Sequence, residues 1–277
     1  MADALRLPDR LAERARDISE GRVEAATPRD ASTVILLRDS PVGDGLLVYL
    51  LRRVSSMKFA PGAYVFPGGS VDRRDGDLAV GWSGPSPAEW GGAFGAAETL
   101  ARELVCAAVR ETFEESGVLL AGPAEDAIVP DTSADDWEVD RQALLDRSQS
   151  LAEMLARRGL VLRTDLLRPW AHWITPEIEE RRYDTRFFVA ALPDGQRTRD
   201  VSTESDQVAW VRPADAVDAA RRGDMRMLPP TLVTLTELTA YDSVSAVLAA
   251  QRSVRPRLPS ARVTGDGVFL VLPEDMA

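Results

Sequence analysis

Apolar and polar positions alternate along the chain in short segments, a pattern that predicts a mixed α/β protein. Residues 8–21 have the spacing of an amphipathic helix. Apolar runs at 32–38 and 46–52, separated by a polar turn at 39–45, predict a β-hairpin that enters the core. Further strands are predicted at 63–66, 166–174, 183–192 and 207–211, and as a closing pair within 261–272.

Helical spacing dominates elsewhere. One helix is predicted from Glu98 to Ser116, where Gly117 supplies the stop. Others are predicted at 141–158, 213–222 and 229–250. Residues 75–97, rich in Gly, Ser, Pro, Trp and Asp, have no sustained period and predict an inserted loop, and Pro67-Gly68-Gly69 predicts a tight loop that a ligand can approach.

The helix ending at Ser116 has an acidic face. At about 100° per residue, Glu111, Glu114 and Glu115 fall within an arc of roughly 100°. The opposite side carries a core-facing apolar stripe, Val105, Val109 and Phe113. Like charges one turn apart destabilise a helix, so this face is either a solvated acidic surface or a site for a compensating cation, with Mg²⁺ or Mn²⁺ the natural oxygen-bound choice.

The composition limits the classes of ligand that this protein is expected to bind. The 277 residues contain 44 acidic and 33 basic side chains, a net charge of −11, which argues against a nucleic-acid polymer as partner. An acidic protein that handles phosphates needs a metal ion, clustered arginines or backbone N–H groups at its site. Cys106 is the only cysteine, so a disulfide within the chain is excluded and a cytoplasmic location is expected. Neither a signal peptide nor a membrane span is predicted.

The acidic face lies in a longer motif. Gly69, and then Arg110 to Val118 with the sequence RETFEESGV, resemble the Nudix box G-x5-E-x7-R-E-U-x-E-E-x-G-U, in which U is a bulky apolar residue. The second half matches except that Thr112 stands at a U position. The first half departs, because Asp75 replaces the expected Glu and lies 110 − 75 = 35 positions before Arg110, 27 more than the box's 8. The first acid of the box is therefore Asp75, Glu98 or Glu103.

Over residues 30–272 the chain resembles the Nudix motif 19 branch of this family. The resemblance lies in the long insertion and in segments 51–53, 62–69, 106–120 and 180–188. It implies an α/β/α sandwich with a mixed sheet, an insertion inside the box and extra C-terminal helices. The expected organisation is an N-terminal extension, 1–29, followed by one domain, 30–277, with the inserted loop at about 75–97.

That branch implies an enzyme, a metal-dependent diphosphatase that converts coenzyme A or acyl-coenzyme A to 3′,5′-ADP and (acyl-)4′-phosphopantetheine. An ADP-ribose or NADH pyrophosphatase is the alternative, and a non-catalytic nucleotide-binding module is a third. The retained residues of the box, Arg110, Glu111, Glu114 and Glu115, argue against the third.

The resemblance also implies roles. Glu111, Glu114 and Glu115 are expected to ligate the metal, with the Gly69 carbonyl as a further ligand. Arg110 is expected to orient the glutamates through charge-assisted hydrogen bonds.

The catalytic base is expected to be a carboxylate or a metal-bound hydroxide, with Glu111 as one candidate and Glu204 or Asp206, in a later loop, as others. Arg52, Arg53, Lys58 and Gly68 are the candidates for substrate binding, the three cations being exposed surface charges otherwise.

The histidine and the aromatic residues of the insertion are expected to have structural roles. The only histidine, His172, is expected to be a partly buried structural residue. The absence of a second histidine or cysteine argues against nucleophilic chemistry based on those residues. A homodimer is possible, and aromatic residues of the insertion are expected either to form its interface or to cover the pocket, namely Trp82, Trp90 and Phe94.

Overall fold

The computed structural model describes residues 5–43, 45–57, 60–124, 126–202 and 204–273. The first part of the chain forms β1 (Leu5–Arg6), α1 (Asp9–Ser19), β2 (Arg29–Asp39), β3 (Leu46–Arg53), β4 (Tyr64–Val65), β5 (Gly68–Ser70), a 3₁₀ turn (Arg73–Gly76), β6 (Trp82–Ser83), α2 (Pro87–Phe94) and α3 (Glu98–Ser116). The second part forms β7 (Ala121–Gly122), α4 (Asp135–Leu145), α5 (Leu151–Arg158), β8 (Val161–Arg163), β9 (Leu167–Ile174), β10 (Tyr183–Ala191), β11 (Ser205–Val211), α6 (Pro213–Arg222), α7 (Pro229–Leu238), α8 (Val244–Ala249), β12 (Pro256–Arg257), β13 (Ser260–Thr264) and β14 (Gly267–Val271).

The centre of the fold is a mixed sheet in the order β11-β3-β2-β10-β9-β12. Strands β2 and β10 are parallel, whereas β2 with β3 and β10 with β9 are antiparallel. Alternate residues of β2 face opposite layers, because side chains alternate along a strand. Val34 and Leu36 pack with α2 to α5, while Ile35 and Leu37 pack with α6 to α8. The predicted α/β/α sandwich is confirmed.

The sheet opens at the place where the site is built. Strands β2 and β3 pair directly only where Leu37–Asp39 meets Leu46–Val48. Beyond this, β4 pairs with β3 and β5 pairs with β2, so the short 64–70 segment fills the gap between the two strands. The prediction of a tight loop at Gly68-Gly69 is therefore wrong, since both glycines lie in β5 and complete the open backbone edge of β2.

The insertion (residues 75–97) is not a loop throughout. It contains β6 and α2, and α2 begins with a capping box in which Ser86 and Glu89 satisfy each other's backbone N–H groups. Trp90 and Phe94 are each only 3% exposed, with ring centroids 5.3 and 5.0 Å from Phe188 of β10. These two aromatics belong to the core, and their predicted roles in a lid or a dimer interface are wrong.

Trp82 in β6 is part-buried and stacks under the guanidinium of Arg102 at 5.0 Å, while its indole N–H donates to the carbonyl of Pro85. It too packs against this chain.

Two predicted helices are each divided. The segment 141–158 belongs to α4 and α5, which are separated by a turn where Arg147 has a φ of 62° and Ser150 caps α5. The segment 229–250 belongs to α7 and α8, with Ser243 capping α8. The amphipathic period continues across both breaks, which hid them in the sequence. By contrast, α3 begins and ends where predicted.

Two small sheets complete the fold, β1-β14-β13 and β6-β8-β7. Helix α1 packs on the first of them, where Ala12, Ala15 and Val268 are buried together. Within the described ranges, no helix combines the length and apolar character that crossing a membrane requires.

Candidate active site

Helix α3 is fixed against the sheet by its apolar stripe and by polar contacts, the most buried of which comes from Ser32. Val105, Val109 and Phe113 are fully buried. The hydroxyl of Ser32 in β2 donates to the carbonyl of Leu104 at 2.6 Å. The helix ends at Gly117, whose φ of 75° is the left-handed conformation that favours glycine. With the apolar stripe against the sheet, the acidic face comes to lie beside β5.

The two glycines of β5 bring its backbone close to two of the carboxylates. The amide of Gly68 donates to Glu115 Oε2 at 2.8 Å, so this N–H is already engaged by Glu115. The carboxylate of Glu111 lies against Gly69, where a Cβ atom would stand 2.4–2.6 Å from its carboxylate atoms. Only glycine leaves room for Glu111 at this position.

Arg110 joins the acids of α3 to the 3₁₀ turn. Its Nε and Nη2 donate to Oδ1 and Oδ2 of Asp75, both at 2.9 Å, and Nη2 also donates to the carbonyl of Ser70 at 3.0 Å. Its Nη1 donates to Glu111 at 2.7 Å and to Glu114 at 3.2 and 3.3 Å. Although burial lowers it, the bonds to Asp75 and the glutamate charges hold the pKa of Arg110 above its ordinary value.

The two-point hydrogen bond with Arg110 distinguishes the three acids that were candidates for the first acidic position of the Nudix box, Asp75, Glu98 and Glu103. Asp75 is 2% exposed and forms this pair. Glu98 is exposed at the first turn of α3. Glu103 lies beside Gly76, and its pKa is raised by burial and by the nearby charges of Asp30 and Asp75. Asp75 is therefore the acid that meets Arg110.

Burial and like charges disfavour the ionised form of the α3 carboxylates. Burial raises the pKa of Glu111 and, together with the charge of Glu111, raises that of Glu114 to about 7. Burial and the Glu111 charge also hold the pKa of Glu115 well above its usual range. Desolvation and like charges both disfavour the ionised form, so a cation beside these groups would relieve both effects.

Two candidates for substrate binding, Arg52 and Arg53, lie at the end of β3, and two candidates for the base lie next to them, Glu204 just before β11 and Asp206 within it. Arg52 pairs with Asp206 at 2.6 Å, and Arg53 with Glu204 at 3.5 Å. Glu204 is exposed, and its charge raises the pKa of both Glu111 and Glu115. The charge of Arg53 acts in the opposite direction and lowers the pKa of Glu115. Lys58 lies outside the described residues.

The chemistry of the carboxylates on α3 fits a hard divalent cation. Glu111, Glu114 and Glu115 offer carboxylate oxygens, the ligands that Mg²⁺ and Mn²⁺ prefer. In the described ranges, however, no three acidic, histidine or cysteine side chains are already arranged to hold a metal ion. The guanidinium Nη1 of Arg110 lies between two of these acids and donates to both Glu111 and Glu114.

His172 has the structural position expected of it. It is 4% exposed on β9, where its Nε2 contacts Asp184 of β10. Cys106 is likewise fully buried. Sequence reasoning missed a different pair, Arg141 of α4 and Glu138 one turn before it. Their spacing of three residues predicts a helical ion pair, but it does not show that α4 docks on α3.

Comparison with known proteins places this fold and site. The crystal structure of a NUDIX hydrolase from Alicyclobacillus acidocaldarius is similar with a TM-score of 0.68 and 26% identity, over 82% of this chain and 98% of that one. The shared fold and the carboxylate helix are those of a Nudix hydrolase, an enzyme class that cleaves diphosphate linkages and generally uses divalent cations.

The sequence comparison is more specific. The profile of the NUDT19 Nudix domain matches residues 96–238, so the chain belongs to that family. The putative nudix hydrolase 7 of Caenorhabditis elegans is 30% identical over 194 residues, 69% of this chain but 55% of that protein, so the chain spans about half of its length. The acyl-coenzyme A diphosphatase NUDT19 of Gallus gallus is 26% identical over 89% of this chain and 79% of that protein.

Proposed function

We propose that this enzyme hydrolyses the diphosphate of coenzyme A or an acyl-coenzyme A, giving 3′,5′-ADP and (acyl-)4′-phosphopantetheine, with Mg²⁺ or Mn²⁺ as its cation. The substrate assignment rests on the similarity, over most of the chain, to the proteins of Gallus gallus and Homo sapiens that are named acyl-coenzyme A diphosphatase. The carboxylate helix facing the glycine strand supports the reaction class.

Glu111, Glu114 and Glu115 are the residues that would hold the cation, with the Gly69 carbonyl beside them. A bound divalent cation would withdraw negative charge from the diphosphate as a Lewis acid. Arg110 helps to place the glutamates: its two bonds to Asp75 fix the guanidinium, whose Nη1 holds Glu111 at 2.7 Å and makes longer contacts with Glu114 at 3.2 and 3.3 Å. Arg110 is thus a positioning residue that does not touch the substrate.

Glu204 is the proposed base, which accepts a proton from the attacking water at its carboxylate. It is exposed, and it lies near enough to Glu111 and Glu115 to raise the pKa of both. Glu111 is less suited to this role because its Oε1 already accepts a hydrogen bond from Arg110 at 2.7 Å. Hydrolysis at phosphorus then requires a positioned water molecule and neutralisation of the negative charge on the diphosphate. It does not require a covalent intermediate on the protein.

Arg52 and Arg53 are proposed to bind the phosphates. Arg52 is 40% exposed and is held by the equally exposed Asp206. Such exposed pairs contribute little to stability, so a phosphate group can replace the carboxylate at little cost. Their place at the end of β3, opposite the α3 carboxylates across the opened sheet, suits a ligand whose diphosphate lies between them.

The test is a substrate panel of coenzyme A, an acyl-coenzyme A, ADP-ribose and NADH, each with Mg²⁺ and with Mn²⁺. Products are separated by chromatography and identified by mass. Release of 3′,5′-ADP from the coenzyme A substrates at the highest kcat/KM is expected. Faster release of AMP from ADP-ribose or NADH would overturn the substrate, and binding without turnover of any compound would overturn the enzymatic role. A Glu115→Gln preparation, purified identically, controls for contaminating hydrolases.

A further inference from the structure

The C-terminal end of α3, which carries Glu114 and Glu115, is held by a residue of another helix. The last carbonyls of a helix have no donors within it and must be satisfied from outside. The carbonyl of Glu114 accepts from Arg141 Nη1 of α4 at 2.6 Å. The carbonyl of Ser116 accepts from the backbone N–H of Arg199 at 2.8 Å.

The guanidinium of Arg141 is itself held by Glu138 of the same helix. It is 1% exposed, and its Nε and Nη2 donate to the two carboxylate oxygens of Glu138 at 2.9 and 2.6 Å. Glu138 also pairs with Arg199 Nη1 at 3.1 Å. The planar fork between Arg141 and Glu138 leaves the guanidinium one orientation, in which Nη1 points at the Glu114 carbonyl.

Among the described residues, the Glu114 carboxylate receives only long hydrogen bonds, both from Arg110. Its contacts with Arg110 Nη1 are 3.2 and 3.3 Å, longer than the 2.7 Å contact that holds Glu111. Charge-assisted bonds of this kind normally lie near 2.7–2.9 Å, so these contacts are weak. The position of the Glu114 carboxylate therefore depends mainly on its own backbone, which Arg141 holds.

We propose that Arg141 is a positioning residue for the hydrolysis, which fixes the backbone of Glu114 and so places the carboxylates of Glu114 and Glu115 for the cation. The inference rests on the proposed role of these two glutamates as metal ligands. It assigns to α4 a function in the site that acts through the backbone of α3. Errors of about 1 Å in such groups cost on the order of 100-fold in rate, which makes this support consequential.

A purely structural role for Arg141 is the competing explanation, and the chain offers a matched control. Arg163 is 8% exposed, forks onto Asp165 at 2.8 and 2.7 Å, and donates Nη1 to a backbone carbonyl, that of Ala127, at 2.7 Å. This is the arrangement of Arg141 with Glu138, but the carbonyl belongs to the segment before α4 instead of to α3. Removing either guanidinium should lower stability, whereas only Arg141 should affect the carboxylates.

The experiment compares the full-length wild type with Arg141→Met, Arg141→Lys and Arg163→Met. Mn²⁺ affinity is measured without substrate, by electron paramagnetic resonance of the free ion, beside kcat, KM and Tm. Arg141→Met is expected to weaken Mn²⁺ binding and to lower kcat by about 10- to 100-fold, as for other residues that support metal ligands, with KM for substrate nearly unchanged. Arg141→Lys should recover part of both losses, and Arg163→Met should lower Tm alone.

Wild-type Mn²⁺ affinity and kcat in folded Arg141→Met would overturn the proposal, as would equal losses in Arg163→Met. If Arg141→Met does not fold, Arg141→Lys and Glu138→Gln decide instead: weakened Mn²⁺ binding in both supports the proposal, and wild-type binding in both overturns it. Failure of the proposed function is recognised separately, since it leaves Glu115→Gln with wild-type Mn²⁺ affinity or changes the preferred compound in the substrate panel.

Discussion

The guanidinium of Arg110 and the carboxylate of Asp75 form a buried two-point ion pair across 35 positions of the chain, with both bonds at 2.9 Å. The insertion lies between the two residues without separating them, because α2 packs its aromatic rings on Phe188 and the 3₁₀ turn remains beside α3. The interrupted motif is thereby completed in three dimensions, and the insertion functions as a part of the core.

Asp75→Asn should destabilise the protein and impair turnover. It removes the two-point partner of the buried Arg110, and the loss should stay below the roughly 3–5 kcal/mol that an uncompensated buried charge costs, because Glu111 and Glu114 still face the guanidinium. The freed guanidinium is then held only by Glu111, Glu114 and the Ser70 carbonyl, so the glutamates lose their fixed arrangement. Urea unfolding and kcat measure the two effects. Glu98→Gln, at an exposed position on the same helix, should behave as the wild type, and an equal loss there would refute the assignment of Asp75.

Glu114→Gln and Glu115→Gln should each lower kcat by on the order of 10²–10³-fold, the scale observed when one preorganised electrostatic group is removed. Neither change alters the side-chain shape. Stability should be unchanged or higher, because the raised pKa values of both groups reflect an unfavourable buried charge. Steady-state kinetics and Tm are the measurements. Glu103→Gln, about three turns earlier on α3, is the control. Undiminished hydrolysis in both Glu114→Gln and Glu115→Gln would disprove the ligand assignment.

Gly69→Ala should reduce activity through Glu111. The added Cβ would stand 2.4–2.6 Å from the Glu111 carboxylate, which must move away. Gly92→Ala is a matched control on the exposed side of α2, where a Cβ meets nothing within 4 Å and should stabilise the helix by about 0.5–1 kcal/mol. Metal-dependent turnover and Tm distinguish the two variants. Wild-type kcat in Gly69→Ala would show that the position of Glu111 is unimportant.

The pH dependence of stability should identify the Glu138 pair. Its hydrogen bonds with Arg141 lower the pKa of Glu138 to about 2, below the ordinary value of 4.5. A carboxyl whose pKa is lower in the folded protein stabilises it fully above pH 4.5, and this contribution is lost as the pH falls toward 2. Glu138→Gln should therefore be less stable at neutral pH, and its urea midpoint should fall less steeply over that interval. Parallel curves for both proteins would contradict the pairing.

Much of the site was readable from the sequence because its information is local. Helical periodicity placed three glutamates on one face of α3 opposite an apolar stripe, and Gly117 marked the end of the helix. The glycine pair indicated a tight loop that a ligand can approach, whereas both glycines lie in strand β5. The breaks between α4 and α5 and between α7 and α8 were missed because the apolar period continues through both.

The partners of these residues could be decided only by the tertiary structure. Asp75, Glu98 and Glu103 are equivalent as acids before Arg110, and only the packing of the 3₁₀ turn against α3 selects Asp75. Arg141 lies 27 positions after Glu114, and its bond to that carbonyl follows from the docking of α4. Local periodicity specifies which face of a helix is acidic or apolar, but contacts between distant segments depend on how all the buried surfaces pack together. The sequence alone determined the helix and its chemistry, and the packed fold determined what holds that chemistry in place.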